Sequence, residues 1–146
     1  MTASIDQAVC NSFKAQLLDA EHDFTASTGD VFKLALYQSN AVLNATTTVF
    51  TSTNEVAATG TYVSGGGILA SQTVSLDGSV GIVDFADLSF TGVTLSALGA
   101  VIYNTSFGSN AAVCVLDFGA VKTATSGTFT ILFPNFTAAA AILRIV

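Results

Sequence analysis

Apolar and polar positions change period once along this chain, near residue 30. Before that point Val9, Cys10, Phe13, Leu17, Leu18 and Ala20 recur at i, i+3 and i+4 spacing, while Asp6, Lys14, Asp19 and Glu21 fall mostly outside the stripe. The spacing predicts one amphipathic helix of about four turns, ending near Glu21. Ser4-Ile5-Asp6-Gln7 fits a capping box, in which Ser4 accepts from the Gln7 amide and Gln7 reaches back. After Thr28-Gly29-Asp30 the period becomes two. Val31 to Tyr37 is a strand with Phe32, Leu34 and Leu36 on one face and Lys33 on the other. Residues 1–30 therefore read as a separable helical anchor segment, attached to a β domain that spans 31–146.

Residues 38–67 carry little apolar pattern. Ser39-Asn40, Thr46-Thr47-Thr48, Thr51-Ser52-Thr53-Asn54 and the triple Gly65-Gly66-Gly67 have the composition of loops and edges. So long a region is expected to be either a functional surface loop or a partner-binding arm. From Ile68 onward short strands follow one another. Ser71–Leu76 and Ser79–Phe85 flank Asp77-Gly78, a two-residue hairpin signal. Asp87–Phe90, Val93–Leu95, Gly99–Asn104, Ala112–Phe118, Thr128–Phe133 and Ala141–Val146 come next, punctuated by turn residues such as Gly108-Ser109-Asn110 and Thr125-Ser126-Gly127. Val113 to Leu116 is apolar on both faces and so belongs at a sheet centre. The pattern predicts a mainly-β protein: a single β-sandwich, jelly-roll or immunoglobulin-like in strand order, with one N-terminal amphipathic α-helix.

Composition narrows the function. The chain has 146 residues, enough for one domain with a core of ordinary size. Only 10% of residues are charged while 51% are hydrophobic, so the surface must be largely neutral. Lys14, Lys33, Lys122 and Arg144 are the only cations, too few to track a phosphate backbone, and no nucleic-acid partner is expected. The longest apolar stretches, such as Ala111–Leu116 and Ala138–Leu143, fall far short of the ~20 residues a membrane helix needs. No membrane partner is expected. Residues 1–25 lack a basic start followed by an apolar run, which predicts a chain retained in the cytoplasm with reduced thiols.

Catalytic chemistry finds little to work with. His22 is the only histidine, which removes a two-histidine zinc site and a catalytic triad from consideration. Cys10 and Cys114 read as small buried hydrophobes with no C-x-x-C spacing. Asp84 and Asp87 sit three apart on a strand and point to opposite faces, so strand-end hydrogen bonding is favoured over a shared acid–base or metal site. No catalytic residue, metal or cofactor is expected. Eleven Phe and three Tyr exceed what one small sandwich core readily absorbs. Phe50, Tyr62, Phe107 and Phe136, in loop-like stretches, are therefore interface candidates, or else fold over the open ends of the sandwich. Phe13 and Leu17 on the helix are candidates too.

Several segments together resemble a family. They are Phe13-Lys14 through His22-Asp23-Phe24, Val31 to Tyr37, Thr53-Asn54-Glu55-Val56, Gly60-Thr61-Tyr62 with Gly65-Gly66, and Asp84-Phe85-Ala86-Asp87. Gly99 to Asn104, Val115 to Gly119 and Gly127 to Ile131 complete the set. The chain resembles small β-rich virion proteins of tailed bacteriophages, of the head-decoration or cement type. Relatives often place Arg before the Gly-Ala-Tyr strand, where this chain has Leu98. The resemblance implies a non-enzymatic structural protein on the outer head shell, assembled in the host bacterial cytoplasm. Its implied partners are the major capsid protein and copies of itself, as a trimer. The alternatives it leaves open are a tail or neck component contacting tail or portal proteins, and a host-glycan-binding module.

Overall fold

A computed structural model describes residues 3–146. Strands take up 48% of the chain and helix 6%, so the mainly-β, single-domain expectation holds. The chain begins with two short strands, β1 (Ser4–Ile5) and β2 (Ala8–Val9), followed by α1 (Asn11–Leu18) and β3 (Phe32–Tyr37). Next come β4 (Val42–Leu43), β5 (Gly67–Ile68), β6 (Thr73–Asp77) and β7 (Val80–Asp84). Two long strands, β8 (Leu88–Asn104) and β9 (Ala111–Ile131), and a final β10 (Leu143–Ile145) complete it. The main sheet has the order β2-β9-β8-β3-β5, a second sheet is β10-β7-β6, and β1 pairs in parallel with β4. The sheets do not close into a barrel.

The centre of the fold is one ribbon. β8 and β9 pair antiparallel from Leu88↔Ile131 to Asn104↔Ala111. The expected breaks at Gly92 and at Thr125-Ser126-Gly127 are not turns. They are bulges within the ladder, at register shifts between Phe90 and Val93 and between Val93 and Leu95. Gly92 and Ser126 supply the left-handed backbone, at φ of 62° and 46°. A bulge puts one extra residue on one strand and bends the ribbon without ending the pairing. Five predicted strands thus merge into two. Val113, Cys114 and Val115 lie between β2 and β8, buried at the sheet centre as their two-sided apolar pattern requires.

The N-terminal segment departs most from its expectation. Ser4 and Ile5 pair with Val42 and Leu43, and Ala8 and Val9 pair with Val115 and Cys114. No capping box forms: Cys10 is the N-cap without a side-chain bond, and the Gln7 side-chain oxygen accepts from the Asp117 amide at 3.1 Å. The helix has eight residues rather than about four turns. It stops in a Schellman arrangement, with Ala20 N–H donating to Leu17 O and Glu21 N–H to Gln16 O, which requires Ala20 at φ 61°. That position usually holds glycine, so the sequence carries no stop signal. Beyond it Phe24 stacks on Phe32 with ring centroids 4.4 Å apart, and Phe13 and Phe24 both belong to the common core. The described part of residues 1–30 thus supplies an edge strand and core aromatics to the same core as the β domain.

The long region 38–67 is pinned rather than free. Ala41, Leu43, Val56 and Tyr62 are buried. Thr61 N–H donates to Thr91 O, and Gly60 sits so close to the Thr91–Gly92 backbone that no Cβ would fit. This covers the inner face of the β8–β9 ribbon, where Phe90, Val93, Leu95 and Ala97 are buried. The other face carries hydroxyl pairs, Ser89–Thr130 and Ser96–Thr123. In the second sheet the two-residue hairpin loop is Gly78-Ser79, one position later than Asp77-Gly78, since Asp77 pairs with Val80.

Two outcomes are expected. Phe24→Ala should lower unfolding free energy by about 3–5 kcal/mol in urea denaturation, because it removes a stacked core ring. Ala20→Gly should raise it by about 1 kcal/mol by relieving the left-handed alanine at the helix end.

A candidate docking surface

The second sheet has one covered and one open face. β-Strand alternation places Ser75, Ile82 and Arg144 on one side and Val74, Leu76, Val83, Leu143 and Ile145 on the other. The first side is overlaid by residues 134–142: Ala138 N–H donates to Asp77 Oδ2, and Arg144 Nη1 donates to the carbonyls of Ala138 and Ala139. The second side faces α1 across a groove of about 470 Å³. Val9, Phe13 and Leu17 form one wall, Val74, Val83 and Ile145 the other, and Phe24 and Leu143 also line it. Of its charged residues, Lys14 belongs to the α1 wall, while Arg144 turns its guanidinium to the covered side. Around this groove the surface is unusually apolar, with Leu18 89%, Leu76 73%, Ile145 63% and Val74 57% exposed. Large apolar side chains exposed side by side mark an interaction surface.

The sequence candidates divide in this setting. Phe13 and Leu17 line the groove, Phe13 almost wholly buried and Leu17 half-buried. Phe50 is half-buried and stacks on Tyr103 at 4.8 Å, far from the groove in the chain's order of strands. Phe107 is half-buried against the His22 ring at 5.4 Å, and Phe136 is half-buried in the segment over the second sheet. Tyr62 is no surface candidate at all. It is 1% exposed, accepts from Leu36 N–H at 2.9 Å and donates to Glu55 Oε1 at 2.9 Å. Burial drives its phenol pKa up. Its apparent loop context misleads because the buried Glu55 carboxylate, which also accepts from Gly65 N–H at 2.6 Å and Ser64 Oγ at 3.2 Å, ties that loop inward.

The structure also exposes features the sequence did not flag. β6 is an edge strand with all five residues exposed. His22, flanked in sequence by Glu21 and Asp23, is buried between Phe13 and Phe107. Asn104 Oδ1 accepts from Ser106 N–H at 2.8 Å, so its Nδ2 is the donor to Asp30 Oδ2 at 2.7 Å and to His22 Nδ1 at 3.0 Å. His22 Nε2–H then donates to Gln16 Oε1 at 2.9 Å. This network requires neutral imidazole, since a proton on Nδ1 would meet the Asn104 amide hydrogens. Burial lowers the His22 pKa, opposed by the Asp30 carboxylate.

Of the strand acids singled out by their sequence, Asp87 has a structural partner and Asp84 does not. Asp87 Oδ1 accepts from Phe133 N–H and Asp117 Oδ1 from Gly119 N–H, both at 2.8 Å. Asp84 Oδ1 is buried without a hydrogen-bond partner. Among the described residues no three His, Cys, Asp or Glu side chains gather to hold a metal, and no helix is long and apolar enough to cross a membrane. Cys10 and Cys114 are free and buried, which pushes the Cys10 thiol up to about 11 and Cys114 higher still. Neither protein-family models, nor curated proteins, nor solved structures give a match to this chain.

Folded His22 binds its proton less readily than the unfolded chain does, so its contribution to stability is complete above about pH 6.5. It is lost progressively as pH falls from there toward the lower folded pKa. The measurement is thermal stability across this range for the wild type and His22→Gln. The wild type should lose stability on acidification with the steeper slope, and parallel profiles would contradict the assignment.

Proposed function

We propose that this chain is a non-enzymatic structural protein of a tailed-bacteriophage virion, acting as a capsid decoration or cement protein on the outer head shell. The observation that carries this reading is the open apolar surface around the α1 groove, on a rigid β domain with few charges. A protein that reinforces a shell works by adding buried contact area at many equivalent points, with about 800 Å² per partner in a standard interface. A neutral, apolar face suits that task because few charges must be stripped of water when it docks. The segment resemblance to virion proteins supports the same reading and supplies the partners, the major capsid protein and further copies of this chain.

The test is the copy number in purified virions, by quantitative mass spectrometry against the major capsid protein. Decoration predicts a ratio of roughly one, or a simple fraction such as roughly one third, because the contact repeats with shell symmetry. A ratio many times smaller would replace decoration by the tail or neck role. Absence from virions would overturn both.

A further inference from the structure

We propose that β6 is a self-association edge, along which a second copy of this chain pairs antiparallel about a two-fold axis through Ser75. The reasoning begins with which backbone groups point outward. Asp77 and Val80 flank a two-residue loop and therefore form a hydrogen-bonded pair. Antiparallel alternation makes Ser75↔Ile82 and Thr73↔Asp84 hydrogen-bonded pairs as well. The N–H and C=O groups of Val74 and Leu76 consequently point away from β7, toward solvent.

Only one register of β6 against its own copy uses all five residues. It sets Ser75 opposite the second copy's Ser75, Val74 opposite its Leu76, and Thr73 opposite its Asp77. The outward groups of Val74 and Leu76 then face each other as hydrogen-bonded pairs. The apolar side chains, exposed by 57% and 73% in the single chain, meet on the groove side of the sheet. The strand's one charge, Asp77, faces a threonine hydroxyl instead of its own copy, so no like charges oppose. The strand has no lysine, no proline and no bulge to blunt its edge, and its one charge stands at its end.

Pairing would join two three-stranded sheets into one of six strands and place the second copy's Leu76 beside Val74 at the groove's open side. Five paired residues bury less than the ~800 Å² per partner of a standard interface, which sets the association in the micromolar range rather than the nanomolar. An isologous contact closes at two copies, so it predicts a dimer in place of the trimer implied by the family resemblance. The inference rests on the edge geometry and is read in solution, independently of any virion role.

The experiment uses the purified full chain. Sedimentation velocity at micromolar concentrations should show a monomer–dimer equilibrium. Ser75→Cys should cross-link to its copy under oxidation, because a non-hydrogen-bonded pair brings Cα atoms to about 4.5 Å, within disulfide range. Thr73→Cys, which faces Asp77 of the second copy, should not. Val74→Lys should raise the dimer Kd by roughly tenfold or more with unchanged circular dichroism; if it fails to fold, Leu76→Lys is read in its place. A monomer at every concentration would overturn the proposal. So would cross-linking as efficient at position 73 as at 75, or an unchanged Kd in the folded lysine variant.

Discussion

Residues 88–104 and 111–131 lie against each other along nearly their whole length, and most other elements take their position from that contact. One end of the ribbon is the middle of the main sheet, where β3 adds to β8 and β2 adds to β9. The other end runs on, and its inner face is closed by the 56–62 segment. Bulges let a single hairpin serve both places. A flat ribbon of this length would splay away from the core, whereas an extra residue on alternate strands turns it back over the loop. The second sheet is joined to this frame through aromatic contacts: Phe85, after β7, meets Phe32 of β3 at 5.9 Å and Phe133, after β9, at 5.7 Å.

Buried polar groups decide where the irregular segments go. Glu55 is nearly buried and its carboxylate gathers Tyr62, Ser64 and Gly65. Asn104 is fully buried and gathers His22, Asp30 and Ser106. Leaving either cluster partly unsatisfied costs about 1–3 kcal/mol per orphaned group, so each one fixes its loop in a single place. The aromatic residues of these loops are held inward by the same bonds, whereas Leu18 of α1 and Val74, Leu76 and Ile145 of the second sheet stay exposed.

The legible parts of the fold were those with a clean period. Phe32–Tyr37 and Val113–Leu116 appear where their alternation and two-sided apolarity put them, and Cys10 and Cys114 are buried as expected. The misread parts share a cause. Val9, Phe13 and Leu17 are spaced as on a helix, yet Val9 is in a strand whose partner lies over a hundred positions away in β9. Turn-like residues at 125–127 mark a bulge, since local composition cannot distinguish a bend in a ladder from its end. Tyr62 looked exposed because the groups that hold it, the Leu36 N–H, the Glu55 carboxylate and the Phe90 ring, are not its own neighbours in sequence. The same holds for the apolar groove. Val74 and Leu76 alternate as on any strand, and only the sheet order reveals that theirs is an edge.

The pairing of Val9 with Cys114 has a consequence for how the protein is made. Synthesis releases β2 long before β9 exists, so β2 cannot find its place until residues 114–115 are available. Contacts this distant in sequence close slowly. During that interval Phe13 and Phe24 have only each other, His22 and Phe32 to pack on, without the surface that β9 and the second sheet later supply. Apolar surface left open in this way is prone to aggregation, and formation of the β8–β9 hairpin is the step that supplies the missing partner strand.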